Sequence, residues 1–335
     1  MSVFAVSLLK VLLIYGGMLT LAAGMTLAER KVSAWIQYRI GPDRVGPFGT
    51  LQPVADGIKF LFKEELVPAG ANRFLFRMAP VLAAAPPMLA VAVIPCAGEL
   101  TIGGVQTRLS IADLDISALY VVAIGGLSIY GVILGGWSSN SKYSLLGGLR
   151  ASAQMVSYEL ALILCILSVT LLAGSLNLHV IVDAQAGPIW NWNVFSQPLA
   201  FLLFVVATFA ETNRHPFDFA ECEPELVGGF HTEYSSMRFA LFFLGEYCAM
   251  IVMASLTATF FLGGADVPFW RDAPWYLGLC AFLAKTSLFL FLFLWVRWTL
   301  PRFRFDQLMA LGWKVMLPLA LANLFLTGVY VSLAG

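Results

Sequence analysis

Apolar runs long enough to cross a bilayer recur along this chain near residues 4–27, 78–97, 114–137, 153–175, 197–212, 238–263, 274–297 and 310–333. A hydrocarbon core of roughly 30 Å needs about 20 helical residues, so the pattern predicts eight membrane-spanning helices. The fifth run is short because Glu211 interrupts it. Pro80, Pro86, Pro87 and Pro95 crowd the second run, where they are expected to kink the helix or free carbonyls for neighbouring helices. The first run, with Lys10 ahead of the small residues Ala22 to Gly24, shares features with a secretory leader. Its length and the Glu29-Arg30-Lys31 that follows favour a membrane span instead.

A different pattern occupies residues 51–66, where Leu51, Val54, Ile58, Leu61, Phe62 and Leu66 recur at helical spacing while Asp56, Lys59 and Lys63 fall largely off the stripe. This predicts a short amphipathic helix lying along the membrane interface, with an ordinary surface helix as the alternative. No internal repeat or composition break divides the chain, so residues 1–335 are expected to form a single membrane domain. The fold class that follows is an all-α polytopic membrane protein with about eight transmembrane helices plus a cytoplasmic-side interfacial amphipathic helix.

Composition agrees, with 59% hydrophobic and 12% charged residues. A net charge of zero argues against nucleic acid as a partner. The basic residues are unevenly spread: segment 28–77 and the alternate loops on its side hold most of them, whereas the opposite loops hold only Arg108 and Arg271. Cytoplasmic loops carry the positive excess. Loops 28–77 and 212–237 are therefore expected to be cytoplasmic, and both termini periplasmic, in a multi-pass protein of a bacterial inner membrane. Cys96, Cys165, Cys222, Cys248 and Cys280 stand far apart without a CxxC pair, which argues against a metal or iron–sulfur site built from this chain alone.

The densest chemistry lies between Glu211 and Tyr234, where Glu211, Asp218, Glu221, Glu223, Glu225 and Glu233 place six of the chain's 20 carboxylates in 24 residues. Like charges and low dielectric at a bilayer edge both favour the protonated carboxyl, so such acids exchange protons near neutral pH. Glu159, Glu246 and Lys285 fall within spans; each is a functional candidate or, alternatively, a packing ion pair. Glu159, Glu211 and Glu246 on consecutive spans suggest a hydrated proton path. His179, His215 and His231 lack a second ligand at metal spacing, and Cys222 among acids reads as a filler. Gly147-Gly148 and Gly228-Gly229 match no phosphate loop and are expected to be turns. Pro224 forbids a continuous helix through the acidic cluster.

Several longer stretches carry a resemblance: Glu29-Arg30-Lys31; residues 39–46 with 51–59; Gly136 to Gly147; the loop opening Glu211-Thr-Asn-Arg214; Gly245-Glu-Tyr247; and Pro301 to Met309. In these the chain resembles the H-type, quinone-chamber membrane subunit of bacterial proton-translocating NADH:quinone oxidoreductase, respiratory complex I. The resemblance implies a quinone access chamber enclosed with peripheral quinone-site and iron–sulfur subunits. It also implies neighbouring small membrane subunits and antiporter-like subunits, with lipid quinone as substrate. FMN and iron–sulfur clusters would reside in the partners, and this chain would bind no cofactor of its own. By the same resemblance Glu29, Arg30, Arg39, Asp56 and Arg297 would line the chamber, its mouth lying between span one, the interfacial helix and span six. Glu159, Glu211, Asp218, Glu221, Glu223, Glu225 and Glu246 would couple quinone reduction to proton translocation, and Arg214 would shape the loop. The alternatives are a homologous subunit of a membrane-bound hydrogenase or of a ferredoxin- or deazaflavin-linked dehydrogenase, and a self-contained proton or cation transporter.

Overall fold

The structure is a computed structural model that describes residues 3–102, 105–220, 223–270 and 273–334. Glu221, Cys222 and Arg271 lie outside these residues, as does the side chain of Glu223. The helices are α1 (Val3–Ile36), α2 (Gln52–Phe62), α3 (Arg73–Ala90), α4 (Ser117–Ser138), α5 (Lys142–Ala173), α6 (Leu178–Ala184) and α7 (Asn193–Ser196). They continue with α8 (Pro198–Glu211), α9 (Glu223–Leu226), α10 (Ser236–Phe261), α11 (Trp275–Thr299), α12 (Phe305–Ala310) and α13 (Leu317–Ala334). A π-helical turn, Leu311–Met316, joins α12 to α13 without interruption.

Among the described residues seven helical stretches are long and apolar enough to cross a bilayer, and α8 is a shorter apolar helix of 14 residues. Loop contacts sort the chain into two ends. At one end Asn72 donates to the Ser138 carbonyl, Leu66 to the Ser235 hydroxyl, and Arg302 pairs with Asp218. At the other, Lys10 bonds Thr107, Ala118 donates to the Leu176 carbonyl, Phe269 to that of Gly187, and Gln197 to Thr327 near the chain's last residues. Helix α8 runs from Gln197 at the second end to Glu211 at the first, so it is the eighth crossing. The start of α1 and the end of α13 consequently share one end, opposite the acidic loop.

Several helices outrun the apolar patterns, because a helix continues where polar residues can still bond at its ends. Helix α1 extends through Glu29 and Arg30 to Ile36, α3 begins at Arg73, and α5 begins at Lys142. Tyr38 stops α1 in a left-handed conformation (φ 53°), with its own N–H on the Trp35 carbonyl and that of Arg39 on the Ala34 carbonyl, a Schellman cap. Helix α2 ends at Phe62, shorter than its apolar stripe, because residue 63 turns extended. Its Val54, Ile58, Leu61 and Phe62 are exposed, so the stripe faces away from the protein, as an interfacial helix requires. Among the described residues the strands are a short antiparallel hairpin, β1 (Glu99–Ile102) with β2 (Val105–Arg108).

Helices pack closely in a bilayer through small residues. Gly147 and Gly148 are not a turn but part of α5: a Cβ on Gly147 would stand 2.8 Å from Gly229 Cα, and one on Gly148 3.2 Å from the Val132 carbonyl. Gly229, by contrast, does turn the chain, at φ 65°. Pro80, Pro86 and Pro87 lie inside α3 and Pro95 beyond it. Pro87 has no N–H for the Ala83 carbonyl four residues earlier. That carbonyl packs against Gly245 of α10, where a Cβ would come within 3.0 Å, while Gly131 of α4 meets the other side of Ala83.

Candidate functional site

The start of the acidic loop is set by the end of α8. Asn213 takes the left-handed conformation (φ 50°), and the N–H of Arg214 reaches back to the Phe209 carbonyl (3.1 Å). Asparagine tolerates this conformation better than most residues, which explains the Glu-Thr-Asn-Arg order: the turn aims Arg214 inward. Buried Gln154 of α5 fixes it, donating to the Ala210 carbonyl (2.7 Å) and to Asn213 Oδ1 (3.1 Å).

Arg214 enters a cluster of two acids and two arginines in which Glu29 and Arg214 are buried and Glu246 and Arg297 partly so. Its Nη1 donates to both Glu29 carboxylate oxygens (3.2 Å each), and its Nε lies 2.5 Å from Glu246 Oε1. Arg297, from the end of α11, pairs with Glu29 from the other side, and the Tyr247 hydroxyl donates to Glu29 Oε2 at 2.8 Å. The Arg214 guanidinium stacks 4.9 Å from the Tyr247 ring centre. Each charge has a partner, as burial demands. The cluster unites residues that the sequence places in three roles: Glu29 and Arg297 in the chamber, Glu246 in coupling, Arg214 in loop shape. Tyr247 escapes a reading by charge, although it stands beside Glu246 in the Gly-Glu-Tyr stretch.

Two cavities flank this cluster. The first, about 400 Å³, lies between α1, α2 and α10, and its lining includes Thr26, Arg30, Asp56, Phe60, Phe239 and Tyr247. Arg30 pairs with Asp56 at 2.7 Å, and Lys59 stands 3.7 Å from the same carboxylate. Arg39 is not brought here; it is exposed and bonds Gln37.

The second cavity, about 70 Å³, is lined by Glu211, Glu246, His231, Asn213, Phe230 and Phe242, among others. Glu211 is buried, and its Oε2 has no hydrogen-bond partner among the described residues. The cavity is mostly apolar, with Glu211, Thr212, Asn213, His231 and Glu246 as polar groups in its lining, and its volume has room for a water able to serve such a group. Burial holds His231 at about 4, well below the usual imidazole range, so it is neutral at pH 7. Glu159 lies one turn beyond Met155, which lines this cavity, and its carboxylate rests against α4 where Gly126 leaves room.

Other acids of the loop turn elsewhere. Asp218 pairs with Arg302 (2.7 Å) and the exposed Glu225 with Arg150 (2.5 Å). Lys285 is an anchor for backbone: its ammonium donates to the carbonyls of Leu262 (2.7 Å), Gly264 (3.0 Å) and Asp266 (2.8 Å) just past α10. Among the described residues no three His, Cys, Asp or Glu side chains are placed to hold a metal ion.

Fold and site together define a polytopic membrane protein whose chemistry consists of largely buried ion pairs and acids beside an interfacial cavity. The model of the NADH dehydrogenase family matches residues 9–328. The chain is 53% identical to the H-type subunit 1 of NADH-quinone oxidoreductase from Geobacter metallireducens, over 97% of this chain and 96% of that one. It is 52% identical to the H-type subunit of NADH-quinone oxidoreductase from Thermomicrobium roseum, over 93% and 92%, and 50% identical to NADH-quinone oxidoreductase subunit 8 of Rhodothermus marinus, over 96% of each. The chain belongs to this family, the H-type membrane subunits of NADH-quinone oxidoreductase.

Proposed function

We propose that this chain walls the quinone access chamber of complex I on the membrane side and passes the consequences of quinone reduction to proton translocation through its buried acids. The observation that carries this reading is the Glu29–Arg214–Glu246–Arg297 cluster, which touches both cavities: Tyr247 lines the larger one and donates to Glu29, and Glu246 lines the smaller one beside Glu211. Reduction of a quinone to its quinol takes two electrons and two protons. Drawing protons in a dry site changes the field on neighbouring charges, and a low-dielectric ion-pair cluster transmits that change more strongly than water does.

In this reading the cavity between α1, α2 and α10 is the mouth through which lipid quinone leaves the bilayer, with Arg30 and Asp56 at its rim. Glu211, Glu246 and Glu159 form the path toward the pumping subunits. Exposed Tyr38, Ile40 and Phe48, on the segment between α1 and α2, suit a docking surface for peripheral quinone-site and iron–sulfur subunits. The loops 28–77 and 212–237 face the cytoplasm and both termini the periplasm.

The test is Glu211→Gln in the assembled complex. It is expected to lower NADH:quinone reductase activity or proton pumping at least fivefold while NADH oxidation by an artificial acceptor persists; normal turnover and pumping would sink the assigned role. Asp56→Asn is expected to slow quinone turnover more than assembly, and a normal quinone response would remove it from the mouth.

A further inference from the structure

The two cavities share a wall. Phe243 of α10 lines both of them. On the side of the larger cavity its ring stands 4.6 Å from that of Phe239, and on the side of the smaller one 5.7 Å from that of His231. Phe239 and His231 also meet, at 5.2 Å, and Phe230 closes on His231 at 5.0 Å. This aromatic layer separates the chamber mouth from the acids, whereas the polar connection runs around it, from Tyr247 through Glu29 and Arg214 to Glu246.

We propose that Phe243 is a positioning residue that acts as a dry partition, keeping the two cavities from sharing water so that the ion-pair cluster is the route by which they communicate. The proposal rests on the reading of the larger cavity as quinone mouth and of the smaller as part of the proton path. The physical reason is dielectric. Across an apolar wall a charge change at the mouth reaches Glu246 through the paired groups with little screening. A continuous file of water through the wall would screen that change and let protons pass between the acids and the mouth, dissipating the gradient of protonation that coupling needs. Phe243, partly buried and lining both cavities, is the side chain whose removal is expected to join them, since truncating a packed aromatic leaves space its surroundings fill only in part.

The experiment is the ratio of protons moved to NADH oxidised by the purified complex in proteoliposomes, for the wild type, Phe243→Ala, Phe243→Leu and Glu211→Gln. Because Phe243 lines the mouth, its variants change quinone turnover as well, and the ratio is read independently of rate. Phe243→Ala is expected to lower the ratio at least twofold; Phe243→Leu, which refills the wall with apolar volume, is expected to keep it near the wild-type value. A wild-type ratio in Phe243→Ala, or an equal fall in Phe243→Leu, would overturn the partition. If Phe243→Ala fails to assemble, Phe243→Val reads the same ratio with the same expectation and the same overturning result. Glu211→Gln separates the two claims: normal turnover together with an unaffected ratio there overturns the reading of the smaller cavity, and a lowered turnover or ratio there with Phe243→Ala at the wild-type ratio overturns the partition alone.

Discussion

Lys285 shows how an intramembrane charge can belong to the scaffold. An ammonium has three donors and no acceptor, and here all three meet carbonyls at the end of α10, with the Trp192 ring 4.6 Å away. Lys285→Met removes the donors and strands those carbonyls, so the complex in detergent should lose stability by about 3 kcal/mol, read as a lower thermal midpoint. Its proton-to-NADH ratio should not move; a changed ratio would return Lys285 to the functional set. His231 carries a pH dependence. Its folded value of about 4 lies below the unfolded 6.5, so between those values the unfolded chain binds the extra proton and stability rises with pH. Stability from this site is complete above about 6.5 and falls by about 1.4 kcal/mol per pH unit toward 4. Thermal midpoints of the wild type and His231→Gln across pH 4.5–7.5 should therefore converge on the acid side, and parallel curves would show that His231 does not titrate this way.

At the scale of elements, the interfacial helix is held less by its own faces than by the first turn of α10. Ser236 donates to the Phe60 carbonyl (2.8 Å), Ser235 bridges the Glu64 carbonyl and the Leu66 N–H, and Arg238 pairs with Glu65 at 2.9 Å. Helix α10 thus sets the position of the larger cavity's wall as well as carrying Glu246. Arg238→Met should raise the quinone KM several-fold with a smaller change in kcat, and Arg238→Lys should recover part of it; an unchanged KM would free α2 from this strap. None of this strap is legible in the sequence. The amphipathic stripe of residues 51–66 announces the helix, and the run of acids announces the loop, because both are local patterns. That Asp218 and Glu225 are taken up by Arg302 and Arg150, while Glu211 keeps an unbonded oxygen on a cavity, depends on helices far apart in the chain. Gly147 and Gly148 mislead for the same reason: a glycine needed for close packing looks in sequence like a glycine needed for a turn.

For the whole molecule, the question that decides the wiring is whether α8 crosses. Its 14 residues rise about 21 Å, short of a core of roughly 30 Å. Yet Gln197 just before it bonds Thr327 and Asn323 of α13, at the end of the molecule that holds Arg108 and Asp183, while Glu211 and Arg214 reach the end that holds Glu29, Asp218 and Arg302. A short span is tolerated here because both of its ends sit in protein: Gln197 and Glu211 are buried. Eight crossings put the ends of the chain on one side, and the proposal that this side is periplasmic rests on the basic residues gathered around the acidic end. Tags at residue 1 and residue 335 should therefore both be reached by an impermeant protease in intact spheroplasts, whereas a tag in the 39–46 segment should be cut only after permeabilisation. Termini protected on opposite sides would mean that α8 does not cross. Termini both protected, with the 39–46 tag exposed, would invert the molecule and move the acidic loop, with the proposed mouth and docking segment, to the periplasmic side, against the proposed docking of peripheral subunits from the cytoplasm.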